Sequence, residues 1–288
     1  MSLVRVFILL TLLGYLSLSV KAENSNRVLR YFAADQHTYL FITDVLKLAI
    51  KKNPELNGIK TKNLSYVENN EGRTLALLDR DIIDIFWVGT SKQREFEYEP
   101  VRFPIIKGLL GYRIFLTHKD NLVNFKNLTE QQLKSMVACQ GISWPDTEIL
   151  SANDYTVATA SKFMQLIKLT NLKRCDYFPR AVYEGLNEIK WLEDKYPNLR
   201  LVDNVLLSYQ YPIYFFVRKS DYYLARQIEK GLYLATSDGS YQNLFNKHES
   251  LKYLHPLNKW KNTTIFKLSN PTLPDATPRE EKYWLKLY

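Results

Sequence analysis

The sequence predicts an α/β protein of two lobes joined by two extended crossings. Strand-like and helix-like segments alternate twice as β-α-β-α-β, which is typical of a parallel sheet with helices on its faces. One extended stretch, 103–117, separates the two sets, and another, 211–217, follows the second set. A chain that leaves one lobe and later returns to it needs two such crossings. Two crossings form a hinge, and the cleft between the lobes is the expected ligand site.

The first set occupies the region before residue 90. An aliphatic and aromatic strand at 28–33 precedes a segment, 41–52, whose apolar residues have helical spacing. Asn53-Pro54 ends that helix. A second short strand at 63–67 follows, then a helix at 72–78 and a continuous apolar strand at 82–88. We expect these elements to form the first lobe.

The second set follows the first crossing. Its predicted elements are a helix near 129–134, a strand at 136–139, a glycine turn at Gly141, a helix at 147–150, a strand at 156–158, a helix at 163–169, a strand at 175–178 and a helix at 182–192. Two more helices, at 225–236 and after Asp238-Gly239-Ser240, follow the second crossing. We therefore assign 23–106 and 210–288 to lobe one and 107–209 to lobe two.

The first 22 residues have the layout of a cleaved secretory signal. Arg5 supplies a positive start, 7–20 is mostly apolar, and Val20-Lys21-Ala22 places small or apolar residues where a signal peptidase reads them. The alternative is a membrane anchor, but the run is short for a span of about 20 residues. We expect a mature protein that starts near Glu23, with no lipid anchor because no cysteine lies near the cleavage site.

Charge, histidine and cysteine content limit the classes of function. Loss of 1–22 would lower the formal net charge from +9 to +7, and the basic residues are interspersed with acidic ones. With no recognition motif, we expect no nucleic-acid partner. The four histidines are scattered, so we expect neither a metal nor another cofactor. Cys139 and Cys175 are expected to form a disulfide in an oxidising compartment, and two free core thiols are the alternative.

Several short motifs occur in an order that resembles one family. They are Trp87-Val-Gly-Thr-Ser-Lys-Gln-Arg94 with Phe103-Pro104, Gln140-Gly-Ile-Ser143, Arg174-Cys-Asp176, Tyr211-Pro-Ile-Tyr-Phe-Phe-Val217 and Asp238-Gly-Ser-Tyr241. Together they resemble the periplasmic solute-binding proteins of the polar amino-acid type (family 3). The resemblance implies the type II periplasmic binding fold, a periplasmic location, a monomer, and strands around Cys139 and Cys175 that share one sheet.

The resemblance also implies ligand contacts at particular positions. Arg94 stands where the family places an arginine that grips a carboxylate, for which a planar guanidinium is suited. Ser91 stands at a threonine of the family, and Gly89 and Thr90 lie in the same turn. In lobe two, the backbone N–H groups of Ile142, Ser143 and Trp144 are expected at a helix N-terminus, where they could hold an anion.

The sequence departs from the family at two places. Trp87 occupies a position that is usually small, and Phe178-Pro179-Arg180 replaces an aspartate that commonly holds an amino group. Trp87, Trp144 and Arg180 follow strands, so we include them as cleft residues, together with Tyr39 from the first-lobe loop. The structural alternatives are tryptophans in the core, Arg94 paired with Glu95 or Glu97, and Arg180 paired with Glu184.

The leading hypothesis is a binding protein that closes on a small, anionic or carboxylate-bearing ligand. A membrane transporter or a membrane receptor would be its partner, and the sequence does not separate transport from sensing. The second hypothesis is a dehydratase-like enzyme on the same scaffold, with Asp35, Asp146 and Glu184 as candidate acids or bases. The third is an interaction protein whose cleft no longer binds a small molecule.

Overall fold

The computed structural model describes residues 27–33, 37–64 and 71–287. The expected signal segment, 1–22, and the candidate acid Asp35 lie outside these residues. No helix in the described ranges is both long and apolar enough to cross a bilayer. The described chain forms two α/β lobes, each of which contains two sheets.

Lobe one contains a two-stranded and a three-stranded sheet. Its early elements are β1 (Val28–Phe32), α1 (His37–Lys52), β2 (Lys60–Leu64), α2 (Glu71–Asp79), β3 (Phe86–Gly89), α3 (Lys92–Glu97) and β4 (Glu99–Val101). β1 and β2 are parallel, and the returning strand β10 (Ile213–Val217) lies antiparallel between β3 and β4. The backbone N–H groups of Asp84 and Ile85 donate to the Arg30 carbonyl, which brings the β3 segment beside β1.

The core of lobe one explains why the helical spacing in the sequence predicted α1. The apolar residues of that pattern are buried, namely Phe41, Ile42, Val45, Leu46 and Ala49. They face α8 (Tyr222–Ser237), the long helix after the second crossing. A Cβ at Gly231 of α8 would lie 2.1 Å from the Ala49 carbonyl oxygen. Glycine at this position therefore lets the two helix backbones approach closely.

Lobe two contains a four-stranded and a two-stranded sheet. Its elements are β5 (Tyr112–His118), α4 (Glu130–Ser135), β6 (Val137–Gly141), α5 (Pro145–Ala152), β7 (Thr156–Ala160), α6 (Phe163–Asn171), β8 (Phe178–Ala181), α7 (Val182–Leu192) and β9 (Leu199–Ser208). β5 lies between β8 and β9, and β6 is parallel to β7. The Cys139 N–H donates to the Tyr177 carbonyl at 2.8 Å, which joins β6 to the chain entering β8.

The predicted disulfide is present between Cys139 and Cys175. Both residues are buried in the core of lobe two, among Leu116, Leu166 and Phe178. The bond joins β6 to the segment that leads into β8, and the prediction of a bridge is confirmed. The two strands do not share one sheet, as the resemblance implied they would, because β6 pairs with β7 and β8 belongs to a four-stranded sheet. An isolated parallel bridge between Ala138 and Tyr177 links the two sheets beside the bond.

The two crossings touch each other beside the cleft. The Tyr209 N–H donates to the Gly111 carbonyl at 3.1 Å. A Cβ at Gly111 would lie 1.8 Å from the Tyr209 carbonyl oxygen, so a larger residue would force the crossings apart. The close approach at Gly111 holds the crossings side by side. The sequence predicted both crossings as extended, but in the first one 105–108 form turns and Leu109–Gly111 form a 3-10 helix, and the strand begins only at Tyr112.

The C-terminal tail lies on both lobes. After α8 come α9 (Ser240–Lys247) and a short strand, β11 (Thr264–Lys267). β11 pairs in parallel with β9, with Thr264 opposite Val205, and so completes the four-stranded sheet of lobe two. The sequence analysis placed all of 210–288 with lobe one, so this part of the tail lies elsewhere. The physical reason is that β9 would otherwise expose an unpaired sheet edge, which the tail covers.

Candidate functional site

Two adjoining cavities lie between the lobes. The first, here called the hinge-side cavity, has a volume of about 450 Å³ and reaches the second crossing at Tyr211 and Ile213. The second, the tail-side cavity, has a volume of about 600 Å³ and is partly walled by Pro271 and Thr272. Trp144 lines both cavities. Volumes of this size are typical of small-molecule sites.

The structure brings most of the predicted site residues to these cavities. The hinge-side cavity is lined by Tyr39, Trp87, Gly89, Trp144 and Arg180. The tail-side cavity is lined by Ser91, Arg94, Ser143 and Trp144. Thr90 lines neither cavity, because it is fully buried. Its hydroxyl donates to Glu95 at 2.9 Å and its N–H donates to the Pro212 carbonyl. Thr90 therefore stabilises the turn from the protein interior and does not face either cavity.

Aromatic rings form the lobe-one wall of the hinge-side cavity. The Trp87 ring centroid lies 5.7 Å from that of Tyr31 and 6.3 Å from that of Tyr39. Burial raises the pKa of the Tyr39 phenol well above its usual range, so its hydroxyl stays protonated. A Cβ at Gly89 would lie 2.3 Å from the Tyr211 ring. The aromatic wall thus depends on glycine at that position.

Arg94 lies where α3 begins and is already paired. Its N–H is capped by the Ser91 hydroxyl at 3.2 Å, as expected of a helix N-cap. Its guanidinium donates to the Gly89 carbonyl and to Glu71 Oε2, each at 2.6 Å. Glu71 was not among the acids that the sequence suggested as partners. Since Glu71 lines the hinge-side cavity and Arg94 the tail-side cavity, this pair lies between the two.

In the turn after β6, two of the three backbone donors that the sequence predicted for an anion site are already paired. The Ile142 N–H donates to the Ala160 carbonyl, and the Trp144 N–H donates to the Gly141 carbonyl. Both donors are therefore used within lobe two. Ser143 instead turns its carbonyl toward lobe one, where it accepts a hydrogen bond of 3.4 Å from Arg94 Nη2. The turn contributes a contact between the lobes and the Trp144 ring.

Arg180 lies at the end of β8 and is held by two glutamates of α7. Its Nε and Nη2 donate to the two carboxylate oxygens of Glu188 at 2.8 and 2.7 Å. Its Nη2 also lies 2.9 Å from Glu184 Oε2. The structural alternative from the sequence, a pair with Glu184, is thus present together with a second partner. Burial raises the pKa of the Glu188 carboxyl, and the charge of Arg180 opposes that rise.

A second buried cluster in lobe two was missed as a binding feature. Arg113 of β5 donates through Nη2 to Asp146 and through Nε to the Tyr209 hydroxyl, the latter at 2.9 Å. Tyr209 also donates to Asp146. Arg113 Nη1 lies 3.8 Å from Glu184 Oε2. The signal in the sequence was a single charged residue inside an otherwise apolar strand.

The hinge-side cavity therefore presents charges of both signs. Its lobe-two lining includes the guanidinium groups of Arg113 and Arg180 and the carboxylates of Asp146, Glu184 and Glu188. The sequence analysis noted that an aspartate able to hold an amino group was missing. The glutamates of α7 bring carboxylates to the same wall from a different element. Within the described residues, no group of three or more histidine, cysteine or acidic side chains is placed to hold a metal ion.

Solved structures with the same fold include binding and sensory domains. A histidine kinase sensor domain similar to periplasmic binding proteins has a TM-score of 0.56 and 13% identity, covering 78% of this chain and 97% of its own. A Salmonella typhimurium periplasmic binding protein with high arginine specificity has a TM-score of 0.55 and 16% identity, and the match covers 77% of this chain and 99% of its own. An ancestral amino acid-binding protein, a precursor of cyclohexadienyl dehydratase, has a TM-score of 0.55 and 16% identity, and the match covers 81% of this chain and 99% of its own.

Similarity at this level of identity establishes the fold. No protein-family model matches the chain, and no curated protein matches its sequence. The chain thus has the two-lobed type II fold that the motif order predicted. What the cleft binds has to be argued from its own side chains.

Proposed function

We propose that this chain, which has the two-lobed fold of the periplasmic binding proteins, captures a small carboxylate-bearing solute between its lobes. The observation that supports the proposal most directly is the hinge-side cavity of about 450 Å³, whose lining comes from both lobes. Aromatic rings line it beside guanidinium and carboxylate groups. A few placed charges among aromatic walls are typical of a site that binds and orients one small molecule.

The charges of the cleft suggest the chemistry of the solute. Arg94 now holds the carboxylate of Glu71, whose side chain is 35% exposed. A ligand carboxylate could take that place at modest cost, because one charge-assisted pair replaces another. Glu71, which lines the hinge-side cavity, would then be released from Arg94 and could accept a cationic group of the ligand. A solute with both a carboxylate and an ammonium group, such as an amino acid, fits this arrangement best.

The cellular setting follows from the start of the sequence. We propose export through cleavage of the signal segment 1–22 and action as a monomer in the periplasm. There the closed form would deliver its solute to a membrane transporter or present itself to a membrane receptor. The similar structures named above include both a binding protein and a sensor domain, so either role is compatible with the fold.

The first test is a thermal-shift screen of the mature protein against amino acids, organic acids, small peptides and sugars. A ligand at about 100 times its Kd adds about 2.7 kcal/mol of stability to the folded protein and so raises its melting temperature. We expect amino acids to give the largest rise, because they carry both a carboxylate and an ammonium group. For the best amino acid, its amine without the carboxylate and its hydroxy acid without the ammonium group should both bind more weakly. Absence of a shift with every compound would contradict a solute-binding function.

A matched pair of variants tests the cleft itself. Arg94→Ala should weaken binding of the solute found in the screen about 30-fold or more, corresponding to about 2 kcal/mol. Arg102→Ala is the control, since Arg102 is likewise paired with a glutamate, Glu95, but lines neither cavity. Isothermal titration gives both affinities. Equal affinities in the two variants would remove Arg94 from the site.

A dehydratase-like enzyme is the second candidate function. Of the three acids that the sequence suggested, Asp146 and Glu184 both line the hinge-side cavity. Both are engaged in ion pairs with arginine, which favours a role in holding charge over one in moving protons. Mass spectrometry of each bound solute after prolonged incubation distinguishes the two functions. A product that forms with the wild type and not with Asp146→Asn would favour the enzyme.

A further inference from the structure

Arg180 occupies an aromatic enclosure in the lobe-two wall. Its Cζ lies 5.3 Å from the ring centroid of Trp144, 5.2 Å from that of Phe163 and 5.2 Å from that of Phe178. These distances are within the range of cation–π attraction, which arginine favours because its planar group can lie along a ring. Three rings around one guanidinium form a site selective for that cation.

The acids complete this enclosure. Glu188 accepts from Nε and Nη2 of Arg180 in a fork-like pair, and Glu184 adds a contact to Nη2. All three residues are less than a tenth exposed. We call the set of Trp144, Phe163, Phe178, Glu184 and Glu188 the guanidinium box. A box of rings and carboxylates would bind a free guanidinium, and here the chain fills it with its own.

The presence of Arg180 in the guanidinium box affects which ligands the hinge-side cavity can bind. Arg180 neutralises carboxylates that would otherwise attract a ligand cation, and its own charge repels one. Its Nη1 has no hydrogen-bond partner among the described residues, and the side chain lines the hinge-side cavity. We infer that Arg180 is a built-in occupant of the guanidinium box, and that the cleft therefore selects amino acids whose side chains carry no cation. This inference rests on the proposed binding function and narrows its ligand class.

The wild-type protein tests the selectivity with a nearly isosteric pair. Arginine and citrulline have similar size and differ in the charge at the end of the side chain. We expect citrulline to bind at least tenfold more tightly than arginine in isothermal titration, because arginine would place a second guanidinium against Arg180. Binding of arginine as tight as that of citrulline, or tighter, would overturn the inference.

A variant tests the box without any knowledge of the natural solute. Arg180→Ala should bind methylguanidinium at least tenfold more tightly than the wild type, and methylguanidinium should raise its melting temperature. Methylammonium should have neither effect, since it lacks the planar fork. Arg200→Ala, which removes an exposed arginine outside both cavities, should gain no such binding. Equal affinities in Arg180→Ala and Arg200→Ala would contradict the box.

Two readouts keep this test decisive. If circular dichroism shows that Arg180→Ala is unfolded, the double variant Arg180→Ala/Glu184→Gln replaces it in the same titration. In the double variant Glu184 carries no charge, so only one buried carboxylate, Glu188, loses its arginine partner. If the wild type binds no amino acid, the proposed solute-binding function fails. The methylguanidinium titration would still show whether Arg180 fills a guanidinium site, so the two failures are distinguishable.

A different observation concerns the tail beside the tail-side cavity. Asn153, at the end of α5 in lobe two, donates to the Ser269 carbonyl at 2.8 Å and accepts from the Ser269 N–H at 3.0 Å. Three residues later, the Thr272 carbonyl accepts from the N–H of Lys92, the first residue of α3 in lobe one, at 2.8 Å. The tail thus crosses between the lobes a short distance after it leaves β11.

The short crossing has a mechanical consequence. The chain from Ser269 to Thr272 can span at most about 11 Å. Because its two ends are bonded to opposite lobes, the end of α5 and the start of α3 can separate only until this segment is fully extended, unless these bonds break. We propose that 269–272 form a strap that limits opening of the cleft on the tail side.

Distance measurement between the lobes tests the strap. Spin labels at Arg80→Cys in lobe one and Lys168→Cys in lobe two report the separation, since both positions are exposed and the native cysteines form a disulfide. Insertion of four glycines between Ser269 and Asn270 should shift the ligand-free distance distribution to longer values. The same insertion in the exposed turn between Asp194 and Lys195 should not. Identical distributions in the two insertion variants would contradict the strap.

Discussion

Replacement of Arg113 by methionine is expected to lower the free energy of unfolding by about 3 to 5 kcal/mol. Arg113 is 3% exposed and is paired with Asp146, which is 4% exposed. Methionine has a similar length but supplies no hydrogen bond and no charge. The variant would leave a carboxylate buried without its partner, and burial of an unpaired charge is much more costly than loss of the pair as a whole.

Urea unfolding followed by circular dichroism measures this effect. The control is the triple variant Arg113→Met/Asp146→Leu/Tyr209→Phe, which removes the three hydrogen-bonded groups of the cluster at once and leaves Glu184 paired with Arg180. Its stability should lie within about 1 to 2 kcal/mol of the wild type, because replacing a buried ion pair by apolar residues is often neutral. A loss below about 1 kcal/mol for Arg113→Met alone would show that Asp146 finds another partner or water.

Reduction of the Cys139–Cys175 bond is expected to destabilise lobe two by about 3 to 4 kcal/mol. The two cysteines are 36 residues apart in sequence. Without the bond, the unfolded chain gains the freedom that the closed loop denied it, and this stabilises the unfolded state. Both sulfurs stay in place in the reduced protein, so the comparison measures the loss of the bond with little change in packing.

The measurement compares urea unfolding with and without a phosphine reductant. The variant Cys139→Ala/Cys175→Ala is the control for direct effects of the reductant, and its midpoint should not change. A thiol probe should label the unfolded protein only after reduction. Equal midpoints for the oxidised and reduced wild type would contradict a stabilising bridge.

Two residues of the predicted site show what position along the chain can indicate. Trp87 and Arg180 were selected because each was predicted to follow a strand, near the carboxyl ends that face the crevice of an α/β sheet. Both line the hinge-side cavity, although Trp87 lies within β3 and Arg180 within β8. Their part in binding remains to be measured.

The partners of the cleft arginines are a feature that the sequence analysis did not predict. Glu71 was not considered for Arg94, and Glu188 was not considered for Arg180, although each pair is within hydrogen-bond distance. Glu188 looked like any polar residue of an amphipathic helix. A partner depends on which elements become neighbours, and a single sequence with regular hydrophobic patterns does not specify that.

The sequence by itself determined the α/β class, the two sets of strands and helices and the cysteine pair. These follow from local periodicity and residue type, which act over a few residues at a time. Only the tertiary structure decided that the cleft arginines are already paired, that Arg180 lies in the guanidinium box, and that β11 pairs with β9 of lobe two. Those features depend on contacts between residues far apart in sequence, because burial and charge are fixed only when the elements pack together.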